Sequence, residues 1–194
     1  MEQTYREKGD TWPKVLKFNY EKYGDQRRAM RHKHYGIWQR HTWKDYYLNV
    51  KRLALGFLAL GFEPGDKVLI IGDNAPQWYY AELAAQAAGA IPFGIFQDSI
   101  LSEVAYIIDH SEAAMLVAED QEQVDKILDL TEKLPRLKKI IYTDPKGLWD
   151  YEEDLLIEFT QIEKLGRELH EKEPDLFDKN VRNIKDSDLA IVCY

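Results

Sequence analysis

The chain has 194 residues, of which 45% are hydrophobic and 12% aromatic, a composition that excludes a disordered protein. Its net charge of −8 argues against nucleic acid as a general partner, because such a chain and a phosphate backbone repel each other at long range. The single cysteine, Cys193, excludes an internal disulfide, and its apolar neighbours predict a small buried thiol.

The N-terminal residues 1–10 are polar and lack the apolar core of a signal peptide. No apolar run along the chain approaches the roughly 20 residues needed to cross a bilayer. We therefore expect a cytoplasmic protein, and peripheral contact with a membrane is left open. The spacing of apolar residues then predicts a first helix over residues 12–23, which Gly24 ends.

A β-hairpin is predicted over residues 29–43, where polar and apolar residues alternate around Tyr35 and Gly36. Its first strand is strongly basic, with the side chains of Arg27, Arg28, Arg31, His32, Lys33 and His34. A solvated hairpin is the plainest interpretation, although phosphate, an acidic partner or a membrane surface could meet these cations. No cysteine or carboxylate accompanies His32 and His34 at ligand spacing, so we predict no zinc site.

A second helix begins at Thr42, which forms a predicted capping box with Asp45. Its apolar residues fall on one helical stripe, and Gly61 follows the end of the helix. The stripe consists of Tyr46, Val50, Leu53, Ala54, Phe57 and Leu58. A stripe of this kind needs a sheet to cover it, and the predicted sheet follows directly along the chain.

Four short apolar runs follow, at residues 67–71, 91–96, 114–118 and 138–142, and the intervals between them leave room for helices. The helices are predicted over residues 76–88, 100–110 and 121–133. This alternation predicts an α/β fold, with a largely parallel β-α-β sheet and flanking helices.

The last part of the chain is more polar. We predict one amphipathic, charged helix over residues 152–172 and a polar connector over residues 171–188. The apolar run of residues 189–194 is predicted to be a further, buried strand of the sheet.

The loops that follow the predicted strands are the places to look for a ligand site. They contain neither the dinucleotide-binding pattern G-x-G-x-x-G nor a Walker-type phosphate loop. The loop at Asp73 is explained as the start of a helix, and Trp78, Tyr79 and Tyr80 are expected to pack against the sheet. We predict no catalytic residue and no metal ligand in this chain.

An alternative function is suggested by acidic and polar residues of these loops. Asp73, Glu119-Asp120 and Thr143-Asp144-Pro145-Lys146 together are similar to the acid, hydroxyl and lysine set of a phospho-accepting receiver domain. A magnesium site requires convergent carboxylates, whereas isolated acids at helix starts usually act as caps. A receiver-like signalling module and a non-catalytic interaction domain are kept as alternatives.

Four segments, read in order, resemble the N-terminal part of the AMP-forming acyl-CoA synthetases, the adenylate-forming ligase superfamily. They are Leu60-Gly61-Phe62, Pro64-Gly65-Asp66-Lys67-Val68, Asn74-Ala75-Pro76-Gln77-Trp78 and Ala88-Gly89-Ala90-Ile91-Pro92. Residues 102–113 are most similar to the long-chain fatty acid branch. By this resemblance, residues 1–194 are the N-terminal portion of the large AMP-binding domain.

The resemblance implies an enzyme that joins a fatty acid to ATP, releases pyrophosphate and passes the acyl group to CoA. ATP, Mg²⁺ and CoA would be its cofactors, and a homodimer is left open. Tyr194 is the one cofactor-related residue implied, because the family's phosphate loop would begin directly after it. The resemblance therefore implies that the chain stops before the catalytic segments and that the fragment alone is inactive.

Overall fold

The computed structural model describes residues 9–194, apart from the side chain of Lys133. The described part contains seven α-helices, one short 3-10 helix (Thr131–Lys133) and eight strands. The helices are α1 (Trp12–Tyr23), α2 (Trp43–Ala59), α3 (Pro76–Ala87), α4 (Leu101–Ser111), α5 (Gln121–Leu128), α6 (Phe159–Lys172) and α7 (Leu176–Asn183). The strands are β1 (Arg28–His34), β2 (Ile37–Thr42), β3 (Lys67–Ile71), β4 (Ile91–Ile95), β5 (Met115–Ala118), β6 (Lys139–Tyr142), β7 (Leu156–Glu158) and β8 (Val192–Cys193).

Six strands form one parallel sheet in the order β7-β6-β5-β3-β4-β8, and β1 and β2 form a separate antiparallel hairpin. The fold class predicted from the sequence is therefore confirmed. The central strand β3 pairs with β4 on one side and with β5 on the other. Without β8, and with β3 counted as the first strand of the sheet, the order is 2-1-3-4-5, which is a doubly wound order. In this order the direction of winding reverses at the first strand.

Helices cover both faces of the sheet, and the side chains of β3 show this directly. Val68 and Ile70 belong to a core shared with α2, α3 and α6. Leu69 and Ile71 point to the opposite core, which α4 and α5 cover. A parallel strand buried on both faces must be apolar along its whole length, which explains the run from Val68 to Ile71.

The closest helix packing occurs where α6 crosses α2, at two glycines. A Cβ atom at Gly166 would overlap the carbonyl oxygen of Arg52, and one at Gly56 would overlap Ile162. Both positions therefore have to lack a side chain for the two backbones to approach this closely. This crossing was not predicted from the sequence, because neither glycine lies at a turn.

Two predictions for residues 152–188 were wrong. The predicted helix over residues 152–172 is shorter, because residues 156–158 form β7 at the edge of the sheet before α6 begins. The predicted connector contains α7, which buries Phe177 and Val181 against the rest of the core. Only two apolar residues of α7 are buried. The spacing of apolar residues that predicts a helix is therefore weak in this charged segment.

The length of the terminal strand was also overestimated. Instead of six residues, β8 comprises Val192 and Cys193, which pair with Phe93 and Gly94 of β4. Its other side has no strand within the described residues, since β8 is an edge of the sheet. Cys193 is consequently exposed rather than buried, and Leu189 is 56% exposed.

Candidate functional site

The winding of the sheet reverses between β3 and β5, and ligands of doubly wound proteins bind in the crevice beyond the carboxyl ends of such strands. Here the crevice is a cavity of only about 10 Å³, lined by residues that include Gly72, Glu119 and Thr143. A volume of this size holds about one water molecule. The position where a nucleotide would bind in many such folds is therefore closed in this chain.

The crevice is closed by the side chain of Glu119. Its Oε2 atom accepts a hydrogen bond of 2.5 Å from the backbone N–H of Asp73. A Cβ atom at Gly72 would lie 2.7 Å from the Cβ of Glu119, so glycine allows the two loops to meet. Trp78 packs nearby, against Gly94 of β4. A Cβ atom at Gly94 would lie only 3.1 Å from the Cζ2 atom of Trp78.

The aromatic residues at the start of α3 have the packing role predicted for them in two of three cases. Tyr80 is 4% exposed and belongs to the core, and Trp78 packs on β4 at Gly94. Tyr79 instead remains 37% exposed. The hydroxyl of Tyr80 meets Nδ1 of His41 at 3.0 Å, a contact between α3 and the hairpin that the sequence did not indicate.

The residues of the receiver-like set are used in local contacts. Asp120 caps α5 by accepting from the N–H of Gln123 at 3.2 Å, and Asp73 accepts from the N–H of Asn74 at 2.7 Å. Among residues 9–194, no group of three His, Cys, Asp or Glu side chains is placed to hold a metal ion. The receiver interpretation is not supported, because it needs carboxylates that converge on one cation.

The lysine of that set also points elsewhere. The ammonium of Lys146 lies 4.5 Å from the ring centroid of Tyr35, at the tip of the hairpin, and 3.8 Å from the carboxylate of Asp144. The hydroxyl of Thr143 donates to the backbone carbonyl of Glu119 at 3.0 Å. The loop after β6 therefore connects the crevice to the hairpin.

Tyr194 lies just beyond the carboxyl end of β8, the position that the sequence singled out. Its hydroxyl is 2.5 Å from Nδ1 of His110, and its ring stacks against Phe93 at a centroid distance of 6.2 Å. His110 in turn stacks on Tyr106, at 5.4 Å. Sequence reasoning missed His110, although its spacing of four residues from Tyr106 places both on one side of α4.

Burial shifts the pKa of several groups between the hairpin and the helices. It lowers the pKa of His41, with the carboxylate of Asp45 acting in the opposite direction. It raises the pKa of Glu82 on α3 and that of Glu163 on α6, where Arg52 partly opposes the shift. Neither cavity includes His41, Glu82 or Glu163 in its lining, so these shifts reflect packing and do not mark a reactive site.

A much larger groove, of about 990 Å³, lies at the opposite end of the sheet. It extends from the start of β4 along the ends of α2 and α3 to α7 and to the segment before β8. Its floor is apolar, with Leu58, Ala87 and Ile91, and charged groups such as Glu173 and Asp186 line it as well. The sequence analysis did not anticipate this groove, because its walls come from segments far apart in the chain.

Within residues 9–194, no helix is both long enough and apolar enough to span a lipid bilayer. Solved structures of a ligase and of an acyl-CoA synthetase resemble this chain in fold. They include the coronafacic acid ligase of Pectobacterium brasiliense, with a TM-score of 0.69 and 16% identity over 78% of this chain and 29% of that one. The acetoacetyl-CoA synthetase of Streptomyces lividans gives a TM-score of 0.58 and 25% identity over 65% of this chain and 20% of that one.

Relatives in sequence include long-chain-fatty-acid–CoA ligases. The long-chain-fatty-acid–CoA ligase ACSBG1 of Rattus norvegicus is 36% identical over 126 residues, or 64% of this chain. The long-chain-fatty-acid–CoA ligase heimdall of Drosophila melanogaster is 33% identical over 104 residues, or 54% of this chain and 15% of its own length. The chain spans about a sixth of the length of its relatives, since the match covers 17% of the rat protein. The family model of the AMP-binding enzymes matches residues 17–194, and the chain therefore belongs to that family.

Proposed function

We propose that this chain is the N-terminal portion of the AMP-binding domain of an ATP-dependent long-chain fatty acid CoA ligase. The observation that carries the proposal is the identity of 36% to a long-chain-fatty-acid–CoA ligase over 64% of the chain. The reaction would have two steps. The fatty acid carboxylate attacks the α-phosphorus of ATP and displaces pyrophosphate, and the thiol of CoA then attacks the acyl carbon and displaces AMP.

The role proposed for residues 9–194 is that of a scaffold. The crevice at the reversal of the sheet holds about one water molecule, and the acids around it are engaged in backbone hydrogen bonds. ATP, Mg²⁺ and CoA would accordingly be bound by other segments of the whole protein. Stabilisation of phosphate charge, which is the main catalytic task in such a transfer, would be supplied there.

Tyr194 is proposed as the residue that leads into the phosphate-binding loop. The direction of the last strand supports this assignment. β8 lies parallel to β4, so that Tyr194 is at the same end of the sheet as the other loops that follow strands. His110 and Phe93 would then hold the start of that loop in place.

The test is fatty acid-dependent exchange of labelled pyrophosphate into ATP, measured on the whole protein and on residues 1–194 alone. Exchange by the whole protein with a long-chain fatty acid, together with none by the 194-residue chain, is expected. A whole protein that binds ATP but exchanges no pyrophosphate with any fatty acid would refute the proposal. We also expect the whole protein to act in the cytoplasm, in the metabolism of fatty acids.

A further inference from the structure

The hairpin formed by β1 and β2 has a charge opposite to that of the rest of the chain. Residues 26–42 contain no Asp or Glu and carry five formal positive charges, on Arg27, Arg28, Arg31, Lys33 and Arg40. Because the whole chain carries −8, the remaining residues carry −13. This separation gives the molecule a strong charge asymmetry, with the hairpin as its positive end.

The register of the hairpin divides its side chains between two faces. Directly opposite residues share a face, and Met30 pairs with His41 on the face that meets the protein core. On the other face Arg31 pairs with Arg40, and Lys33 pairs with Trp38. We call this second set, Arg31, Lys33, Trp38 and Arg40, the outer face of the hairpin. All four residues are exposed.

The outer face also carries an exposed aromatic residue, Trp38, which is 56% exposed. Ile37 pairs with His34 and therefore lies on the face of Met30 and His41, although it is 66% exposed. Tyr35 in the turn is 72% exposed, and its ring lies against the ammonium of Lys146. The guanidinium of Arg31 lies 4.4 Å from the ring centroid of Trp38, so cation and indole form one patch. Exposed aromatic residues next to cations are typical of surfaces that enter the interfacial region of a bilayer.

No carboxylate of the described residues forms an ion pair with the cations of the hairpin. Every ion pair found among residues 9–194 uses a cation outside the hairpin. In an acidic chain, five cations without an ion-pair partner leave their attraction available to an external anionic surface. The negative remainder of the molecule would be repelled by that surface, so only the hairpin end can approach it.

We propose that the outer face of the hairpin docks the protein on an anionic phospholipid membrane. Arg31, Lys33 and Arg40 would meet the lipid phosphates, and Trp38 would enter the headgroup region. A membrane fits better than nucleic acid, because single strands are bound by successive aromatic rings, whereas Trp38 is the one aromatic residue of this face and tryptophan favours the interfacial region of a bilayer. The inference goes beyond the proposed enzyme activity and does not depend on it.

The experiment is vesicle flotation of the purified 194-residue chain. One set of vesicles is phosphatidylcholine alone, and the other contains phosphatidylserine as well. We expect binding to the anionic vesicles only, and we expect it to weaken as salt is raised. The triple variant Arg31→Glu, Lys33→Glu, Arg40→Glu should bind at least about a hundredfold more weakly, because each cation near such a surface contributes about fivefold.

A matched control distinguishes the effect of the outer face on binding from the effect of the net charge of the chain. The triple variant Lys138→Glu, Lys179→Glu, Arg182→Glu changes the net charge by the same amount on exposed residues of α7 and before β6. It should bind like the wild type, apart from a small general loss. Trp38→Ala, which changes no charge, should also weaken binding. Circular dichroism of every variant confirms that it is folded.

Three results would overturn the proposal. The first is no binding of the folded wild type to anionic vesicles at low salt. The second is an equal loss of binding in the two triple variants, because the effect would then belong to net charge alone. The third is binding to duplex RNA that the hairpin variant loses while vesicle binding is unchanged, which would assign the outer face to nucleic acid instead.

Discussion

His41 and Tyr80 join the base of the hairpin to α3 through a hydrogen bond of 3.0 Å between Nδ1 and the phenol oxygen. Tyr80 is 4% exposed, and its ring also packs on Tyr46 of α2 at a centroid distance of 5.5 Å. The position of the hairpin on the domain therefore depends on a polar contact inside an aromatic cluster. Such contacts stabilise the fold when they are complete and are costly when one partner is removed.

Replacing His41 should reduce the dependence of stability on pH. Burial lowers the pKa of His41 in the folded state below the ordinary value of 6.5 that it keeps in the unfolded chain. As the pH falls through 6.5, the unfolded state takes up the proton first, so stability present at higher pH is lost. The free energy of unfolding of the wild type should therefore exceed that of His41→Gln most at about pH 8 and least at about pH 5.

The control for this prediction is His34→Gln, at the exposed tip of the hairpin. Urea unfolding at each pH gives the difference between wild type and variant. The raised pKa of Glu82 makes the folded state more stable as the pH falls, which is the opposite trend. This contribution is the same in the wild type and in the variant, so it cancels in the difference between their free energies of unfolding. A difference that stays constant from about pH 8 to about pH 5 would contradict the account of His41.

Gly166→Ala should destabilise the chain by about 1–3 kcal/mol or more, because the added methyl group would overlap the Arg52 carbonyl where α6 crosses α2. Helix propensity alone predicts the opposite sign, since alanine is favoured over glycine by about 1 kcal/mol inside a helix. The exposed Gln161 of the same helix supplies the control, Gln161→Ala. Stabilisation by Gly166→Ala in thermal unfolding would show that the crossing has room for a side chain.

Thr42→Ala should cost about 1 kcal/mol, within a range of about 0.5–2 kcal/mol. The Thr42 hydroxyl accepts from the N–H of Asp45 at 3.1 Å, and the Asp45 carboxylate accepts from the N–H of Thr42 at 2.8 Å. Burial acts to raise the pKa of Asp45, but the hydrogen bonds from Thr42 outweigh it and lower the pKa. Thr42→Ser keeps the hydroxyl and should keep most of the stability, so equal losses in the two variants would argue against the capping box.

Cys193 should react with a water-soluble thiol reagent in the native chain at nearly the rate found in denaturant. The reason is its exposure on the edge strand β8, which the sequence did not predict. The chain has one cysteine, so the labelled fraction measured by mass spectrometry reports this position alone. Strong protection of Cys193 under native conditions would show that β8 is covered.

Much of the fold could be predicted because local patterns and tertiary packing agree in the first two thirds of the chain. The stripe of α2, the capping box at Thr42 and the apolar runs of β3, β4, β5 and β6 each point to the structure that is found. In the last third, α7 buries few residues and β7 has three, so their patterns are weak. The prediction that Cys193 is buried was wrong for another reason. An apolar sequence predicts a strand but does not show that this strand lies at the edge of the sheet.

The site could be predicted only in part. The sequence indicated correctly that loops after the strands contain isolated acids acting as caps, as Asp120 does for α5. Closure of the crevice by Glu119 could not be foreseen, because it depends on the Asp73 backbone 46 residues away. The same holds for Tyr194, whose contact with His110 spans 84 residues. Contacts of this kind arise only once the sheet has formed.

The most direct test of the central claim, that this chain is the scaffold part of a fatty acid-activating enzyme, is pyrophosphate exchange into ATP. Residues 1–194 and the whole protein are measured side by side with a long-chain fatty acid. The account predicts exchange by the whole protein and none by residues 1–194. Exchange catalysed by residues 1–194 alone would contradict the scaffold role, and its absence in a folded, ATP-binding whole protein would contradict the proposed reaction.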